Sequence, residues 1–350
     1  MKRRTFLKTV GGSAVTASAA VAAADANETI LDDGSGMPKR AIGDSGKTVS
    51  IVCFPGLALR QYEQAEGTAG LHKAFDNGIT HYDVAPAYGQ DGICEVKMGI
   101  GMQGIPRDKY FLSCKTKRRD AEGAREELER SLKRLKTDYF DLYQLHCLKR
   151  PEEVQEAFAP GGAMETIFKA REEGKVGLIG FSAHTTKAAV AAMKEYRFDT
   201  VMFPINFVEL FTIGFGKAVL ELAAEQGTPV LAIKAMSRGR WKEGEERTRK
   251  WWYRSVESKD EVSMAIRHVL SQSGVKTIVP PSWLDLVDKA VVAAQNYSPI
   301  TEEEVETLRK IAGDCESVFR REEEALAGKH PRNRLLYPDS PHDHCPCWHA

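Results

Sequence analysis

From Val49 onward the chain alternates without a break between short apolar runs and longer amphipathic segments, and this alternation constrains the fold more than any other feature. The runs Val49–Phe54, Thr80–Asp83, Tyr110–Lys115, Phe140–His146, Val176–Ser182, Thr200–Pro204, Pro229–Ile233 and Thr277–Val279 read as strands, being short, rich in β-branched and aromatic residues, and bounded by polar or glycine-containing segments. Helical spacing is clearest at Leu128, Leu132 and Leu135 within Ala121–Leu135. It recurs in Leu71–Asn77, Met164–Glu173, Thr186–Tyr196, Gly216–Gln226, Asp260–Ser271 and Leu284–Ala294. A helix between successive strands makes neighbouring strands parallel, and eight such units close more naturally into a (β/α)8 TIM barrel than into an open sheet. An open doubly wound sheet is the alternative, since periodicity does not show closure. No Gly-x-Gly-x-x-Gly opens any of these helices, which argues against a Rossmann nucleotide site.

The flanks divide the remainder of the 350 residues. Lys2-Arg3-Arg4-Thr5-Phe6-Leu7-Lys8 is a twin-arginine signature, and the Gly/Ser/Ala-rich stretch Val10–Ala24 leads to a cleavage candidate at Ala24-Asp25-Ala26. Residues 1–26 are thus expected to be a signal peptide read by the twin-arginine export machinery, which carries already folded proteins to the periplasm. That stretch is shorter than the roughly 20 residues of a membrane span, and none is expected in the mature chain. Residues 27–37 form a polar linker, 38–300 the barrel, and 301–350 a C-terminal extension. Lys39–Ile42 and Thr48–Cys53 flank Gly43-Asp44-Ser45-Gly46, which predicts an N-terminal β-hairpin. The extension holds a charged helix, Glu302–Ile311, and a tail bearing His342, His344, Cys345, Cys347 and His349. Those are metal-ligand residue types, but Cys-x-Cys is not structural-zinc spacing, and no metal is assigned. Removing residues 1–26 takes Lys2, Arg3, Arg4 and Lys8 but only Asp25, so a chain balanced at 49 basic and 49 acidic residues becomes slightly acidic. Both signs are interspersed, giving no reason to expect a nucleic-acid partner. The seven cysteines are scattered and suggest no disulfide framework.

Asp83, Lys115 and His146 end the second, third and fourth strands, and Tyr88 follows Asp83 in Asp-Val-Ala-Pro-Ala-Tyr-Gly. In a barrel the strand C-termini meet on one face, where catalysis is found. Singly, Asp83 reads equally well as a strand-end cap, Tyr88 as a packed aromatic, Lys115 as a solvated charge and His146 as a core histidine. Those separate roles do not explain why all four arrive at successive strand ends. Together they form a proton-transfer set for a carbonyl oxygen. A nearby ammonium favours the phenolate and would bring Tyr88 into working range, Asp83 would hold Lys115, and His146 would hydrogen-bond the substrate oxygen.

On these residues the chain resembles the aldo/keto reductases. The likeness runs from Phe54-Pro55-Gly56 through Asp83-x-Ala-x-x-Tyr88-Gly89 and Glu95-x-x-x-Gly99 to Ile179-Gly180-Phe181-Ser182 and Val279-Pro280. It implies hydride exchange between NADP(H), with NAD(H) open, and a small aldehyde or ketone. In it Tyr88 would be the general acid, Lys115 and Asp83 its tuning pair, and His146 the orienting group. Gly56, Ser182, Asn206, Lys234, Ser237, Arg238, Pro280 and Ser282 would contact the cofactor. The chain departs from the family where Ala183 replaces a common asparagine, Ile233 a stacking tyrosine, and Val287 the arginine often set on a 2′-phosphate; Arg238 or Arg240 would have to supply that charge. A long segment, Ala235–Ser258, carries Trp241, Trp251, Trp252 and Tyr253 and is expected to be functional, for example as a lid. Lys149–Gly162 and, within that segment, Gly239–Ser258 would be specificity loops. Two rivals remain on the same barrel: a nucleotide-retaining sensor with little turnover, and a lyase forming a Schiff base on Lys115.

Overall fold

The computed structural model describes residues 30, 31 and 34–328; the expected signal peptide, part of the linker and the Cys/His tail lie outside them. The hairpin forms as read, with β1 (Lys39–Ala41) antiparallel to β2 (Thr48–Ser50). Eight parallel strands follow: β3 (Cys53–Pro55), β4 (His81–Asp83), β5 (Phe111–Thr116), β6 (Phe140–Leu148), β7 (Val176–Ala183), β8 (Thr200–Pro204), β9 (Val230–Ile233) and β10 (Val275–Val279). They pair in sequence order, and a parallel bridge from Val52 to Ile278 joins the two ends. The Ile278 N–H donates to the Ile51 carbonyl at 2.9 Å across that seam. The fold is a (β/α)8 barrel. The run read as one strand from Val49 to Phe54 breaks at Ile51–Val52, because its first half pairs within the hairpin and its second half within the barrel.

Side-chain alternation separates two cores. Cys53, Phe111, Leu142, Met202, Leu231 and Val279 fill the barrel interior, joined by Ile42 and Val49 of the hairpin. Their neighbours in sequence, among them Phe54, Leu112, Tyr143, Phe181, Phe203 and Ile278, face the helices. The hairpin therefore lies at the end of the barrel where the strands begin. Arg40 anchors it by donating to the carbonyls of Leu270 at 2.9 Å and Val275 at 2.6 Å.

The surrounding helices are α1 (Gln64–Asp76), α2 (Ile93–Gly101), α3 (Ala121–Leu135), α4 (Pro151–Phe158), α5 (Ala163–Glu172), α6 (Thr186–Glu195), α7 (Phe207–Thr212), α8 (Lys217–Gln226), α9 (Lys259–Leu270), α10 (Leu284–Gln295), α11 (Glu302–Gly313) and α12 (Arg320–Leu326). α3 shows how its sequence sets it: Asp120 caps its start by accepting from Gly123 N, Lys136 ends it at φ 54°, and Leu128, Leu132 and Leu135 form its buried stripe. The Glu95-x-x-x-Gly99 motif belongs to this packing. Glu95 is fully buried and accepts from Arg134 of α3 at 3.3 Å, and a Cβ on Gly99 would lie 2.0 Å from the Arg134 carbonyl oxygen. None of the described helices is long and apolar enough to cross a membrane.

Candidate active site

The register that buries alternate residues inside the barrel also delivers the site. On β4 to β7 the inward positions end in Asp83, Lys115, His146 and Ser182, above the interior layer that contains Phe111, Leu142 and Leu178. Lys115 is fully buried and donates to Asp83 Oδ1 in a short ion pair and to the Val84 carbonyl at 3.3 Å. The Tyr88 hydroxyl reaches Asp83 Oδ2 at 3.5 Å, and Lys115 Nζ lies 5.1 Å from the Tyr88 ring centroid. The His146 ring meets the Tyr88 ring edge-on at 5.5 Å.

A break in the β6–β7 ladder positions His146. Leu145 pairs with Phe181 and Leu148 with Ala183, so β6 carries one extra residue there. Cys147 takes it up at φ 60°, and its N–H donates to Ser182 Oγ at 2.7 Å instead of to the ladder.

The electrostatics differ from the sequence expectation in one respect. Burial raises the Tyr88 pKa well above its ordinary value, with the Asp83 charge adding to the effect. The Lys115 ammonium, ion-paired with Asp83, does not outweigh the burial. Tyr88 is therefore a protonated phenol at neutral pH. Burial also raises the Asp83 pKa, against the opposing pull of Lys115.

All four residues border one cavity, with Ser182, Pro280 and Ser282 on its wall and Trp251, Trp252 and Tyr253 of the long segment also facing it. Its enclosed volume is about 70 Å³, and about 590 Å³ with the space open at its mouth included. The sequence pattern of the Aldo/keto reductase family matches residues 56–312, more than half of the chain. The chain belongs to the aldo/keto reductase family. It is 28% identical over 214 residues to D-threo-aldose 1-dehydrogenase of a Pseudomonas species, a match covering 53% of this chain and 64% of that protein. It is 33% identical over 182 residues to the aldo-keto reductase YhdN of Bacillus subtilis, covering 48% and 51%. The match thus spans about half to two thirds of these relatives' length. Among solved structures, a putative aldo-keto reductase from Pseudomonas aeruginosa superposes with a TM-score of 0.59 at 25% identity, covering 73% of this chain and 94% of that one. The holo form of a Bacillus halodurans aldo-keto reductase gives 0.63 at 22% identity, covering 79% and 96%.

The expected cofactor contacts of this aldo/keto reductase divide. Ser182, Lys234, Pro280 and Ser282 border the cavity; Gly56, Asn206, Ser237 and Arg238 do not. Gly56 packs behind Asp83, where a Cβ would approach the Asp83 carbonyl to 2.5 Å. Asn206 caps α7 by accepting from Glu209 N at 3.0 Å, and its buried Nδ2 has no partner among the described residues. Ser237 Oγ accepts from Gly239 N at 3.2 Å, and Arg238 is ion-paired with Glu261.

A second polar group lines the cavity, of which only Lys234 was expected there. Lys234, at φ 58°, places Nζ 3.5 Å from His184 Nε2, while His184 Nδ1 lies 3.6 Å from Cys147 Sγ. The rings of Trp252 and Phe319 face Lys234 Nζ at 5.5 and 5.6 Å. Phe319 comes from the C-terminal extension, which Glu209 fastens to α7 by accepting from Ser317 Oγ at 2.5 Å and Val318 N at 2.6 Å. Burial lifts Glu209 to about 7 despite those donors, and lowers Lys234 to about 7. A buried residue after α11 was the available signal for Phe319, but nothing local tied it to the barrel mouth.

Proposed function

We propose that the protein is an oxidoreductase that exchanges a hydride between a nicotinamide dinucleotide, NADP(H) or NAD(H), and a small aldehyde or ketone. The observation that carries this reading is the assembly of Tyr88, Asp83, Lys115 and His146 at one cavity beside Ser182. The cavity wall suits the dinucleotide. The Ser182 hydroxyl accepts from Cys147 N and retains its own hydrogen for a carboxamide, and Lys234 offers positive charge. When bound, the nicotinamide supplies the hydride.

The chain's own residues manage the oxygen and its proton. Tyr88 and His146 hold the carbonyl oxygen between them, and the Tyr88 hydroxyl gives up its proton as negative charge grows on that oxygen. The raised pKa keeps the acid protonated at neutral pH. Lys115, held by Asp83, stabilises the phenolate that remains. The same ion pair makes Lys115 a poor imine-forming amine, so the lyase reading has less support.

The test is oxidation of reduced nicotinamide by a panel of aldehydes, with Tyr88→Phe alongside. A fall in kcat of about 10²–10⁴ with nucleotide affinity retained supports the mechanism; full activity in that variant refutes it. Export by the twin-arginine route belongs to the same proposal. It is tested by whether Arg3→Lys/Arg4→Lys leaves the protein in the cytoplasm.

A further inference from the structure

Two lysines reach the cavity, and their surroundings set them apart. Lys115 is held as an ammonium by Asp83. Lys234 is buried at the cavity wall, and among the described residues it forms no ion pair. The carboxylate whose charge acts on it, Glu209, is taken up by Ser317 and Val318, and the cation acting on it, Lys149, pairs with Glu322 at 3.6 Å. Where Lys115 has a carboxylate, Lys234 Nζ has an imidazole, with His184 Nε2 at 3.5 Å, and two ring faces, Trp252 at 5.5 Å and Phe319 at 5.6 Å. The rings favour the ammonium modestly, but the loss of water around it favours the neutral amine more, and Lys234 falls to about 7. Roughly half of these amines are then unprotonated at neutral pH. The backbone is also strained where it aims this side chain, since Lys234 sits at φ 58°, a region that a residue with a Cβ enters unfavourably. Like groups driven to different proton affinities within one cavity divide the chemistry between them. Lys115 is the fixed cation, and Lys234 is the lysine left with a lone pair.

We infer that the Lys234 amine is a second carbonyl-reacting group of this cavity, forming an imine with a small aldehyde while the His184 imidazole moves the protons. The Nζ lone pair forms the C–N bond as the carbonyl π pair shifts to oxygen. His184, within reach of Nζ, carries the first amine hydrogen to that oxygen, which gives the carbinolamine. It carries the second as the C–O bond breaks, water leaves and the C=N bond forms. One amine and one aldehyde thus give one imine and one water, with nothing oxidised or reduced and no nucleotide consumed. The protonated imine draws electrons from a neighbouring C–H bond, so a hydrogen α to the carbonyl exchanges with solvent. That exchange is an activity independent of nicotinamide. It goes beyond the hydride reaction and shares only the cavity with it; the imine chemistry that the Asp83 ion pair denies to Lys115 falls to Lys234.

The full chain, freed of nucleotide, is incubated with propanal and sodium cyanoborohydride at about pH 7, and propylated lysines are mapped by peptide mass spectrometry. Lys234 should be labelled at least about tenfold faster than the chain's surface lysines, because surface ammonium groups are almost wholly protonated at that pH. In parallel, deuterium uptake at the α-carbon of propanal is followed by NMR in heavy water, again without nucleotide, for the full chain, Lys234→Met and Lys234→Arg. Both variants should lose at least about tenfold of the protein-dependent exchange, since neither side chain forms an imine. Arginine keeps the charge, so exchange retained in Lys234→Arg overturns the inference. So does labelling of Lys234 no faster than that of the surface lysines, or labelling of Lys115 in its place. His184→Gln should slow the exchange by at least about tenfold, and an unchanged rate overturns its part in the step. Neither measurement uses nucleotide, so failure here leaves the hydride reading standing. A protein that oxidises no reduced nicotinamide with any aldehyde sinks that reading, while trapping on Lys234 keeps this one.

Discussion

Replacing Lys234 by methionine keeps an unbranched chain between Trp252 and Phe319 and deletes the amine, so it isolates what burying that amine costs the ligand-free protein. Burial takes Lys234 from 10.5 to about 7. At ~1.36 kcal/mol for each tenfold change in proton affinity, that depression is on the order of 5 kcal/mol. Below about pH 7 the folded and unfolded chains both carry the proton, and the folded state bears the whole cost. Between about 7 and 10.5 the folded amine is neutral while the unfolded chain still binds a proton, so stability rises with pH across that window. Above it the cost is gone. Methionine also forfeits the two ring contacts and the hydrogen bond to His184, together about 2–3 kcal/mol. The variant should therefore be more stable by roughly 2–3 kcal/mol at pH 6, and no more stable, or slightly less, at pH 10.5. At roughly 2 °C per kcal/mol for a chain of this size, the shift at pH 6 is about 4–6 °C. Thermal melts of both proteins from pH 6 to 10.5 supply the assay, with bound nucleotide removed first because ligand binding adds its own stabilisation. Groups that do not act on Lys234 titrate alike in both proteins and cancel in the difference; Glu209, whose charge acts on Lys234 and which itself sits at about 7, is held constant by carrying Glu209→Gln in both proteins of a second pair. A variant less stable at pH 6, or a difference that stays flat across the range, refutes the reasoning.

Asp83→Asn should cost about 3–5 kcal/mol in urea unfolding by leaving the Lys115 ammonium buried without its carboxylate, and adding Lys115→Met should recover part of that loss. Gly99→Ala should destabilise by more than about 2 kcal/mol, because its Cβ meets the Arg134 carbonyl oxygen of α3 and neither backbone can yield cheaply; a melt unchanged from the parent would count against this packing. In the alcohol-oxidising direction the phenolate of Tyr88 is the required form, so its raised pKa predicts a rate that climbs with pH through the alkaline range. Carbonyl reduction should show no loss from this group at neutral pH, and a pH–rate profile in each direction checks the pair.

Residues whose placement follows from local period were legible in the sequence; residues placed by a non-local contact were not. Asp83, Lys115, His146 and Ser182 follow from strand parity: once Phe111 and Leu142 point inward, so do Lys115 and His146 two steps further on. Their cavity is therefore a consequence of the alternation itself. The direction of the Tyr88 shift was not legible, because it depends on how much solvent the barrel mouth excludes. The same limit hid α2 and α4, short segments whose apolar faces are defined by neighbours distant in sequence. It also hid Phe319, which is brought to Lys234 by contacts distant in sequence, among them Glu209 with Ser317 and Val318 and the Glu316 carbonyl, which accepts from Arg240 N at 2.9 Å. These two ties join the C-terminal extension to α7 and to the Trp-bearing segment. Motion of that segment at the cavity mouth should therefore be coupled to the extension, and loosening the Glu209 tie should alter how fast a nucleotide exchanges without touching Asp83, Tyr88, Lys115 or His146.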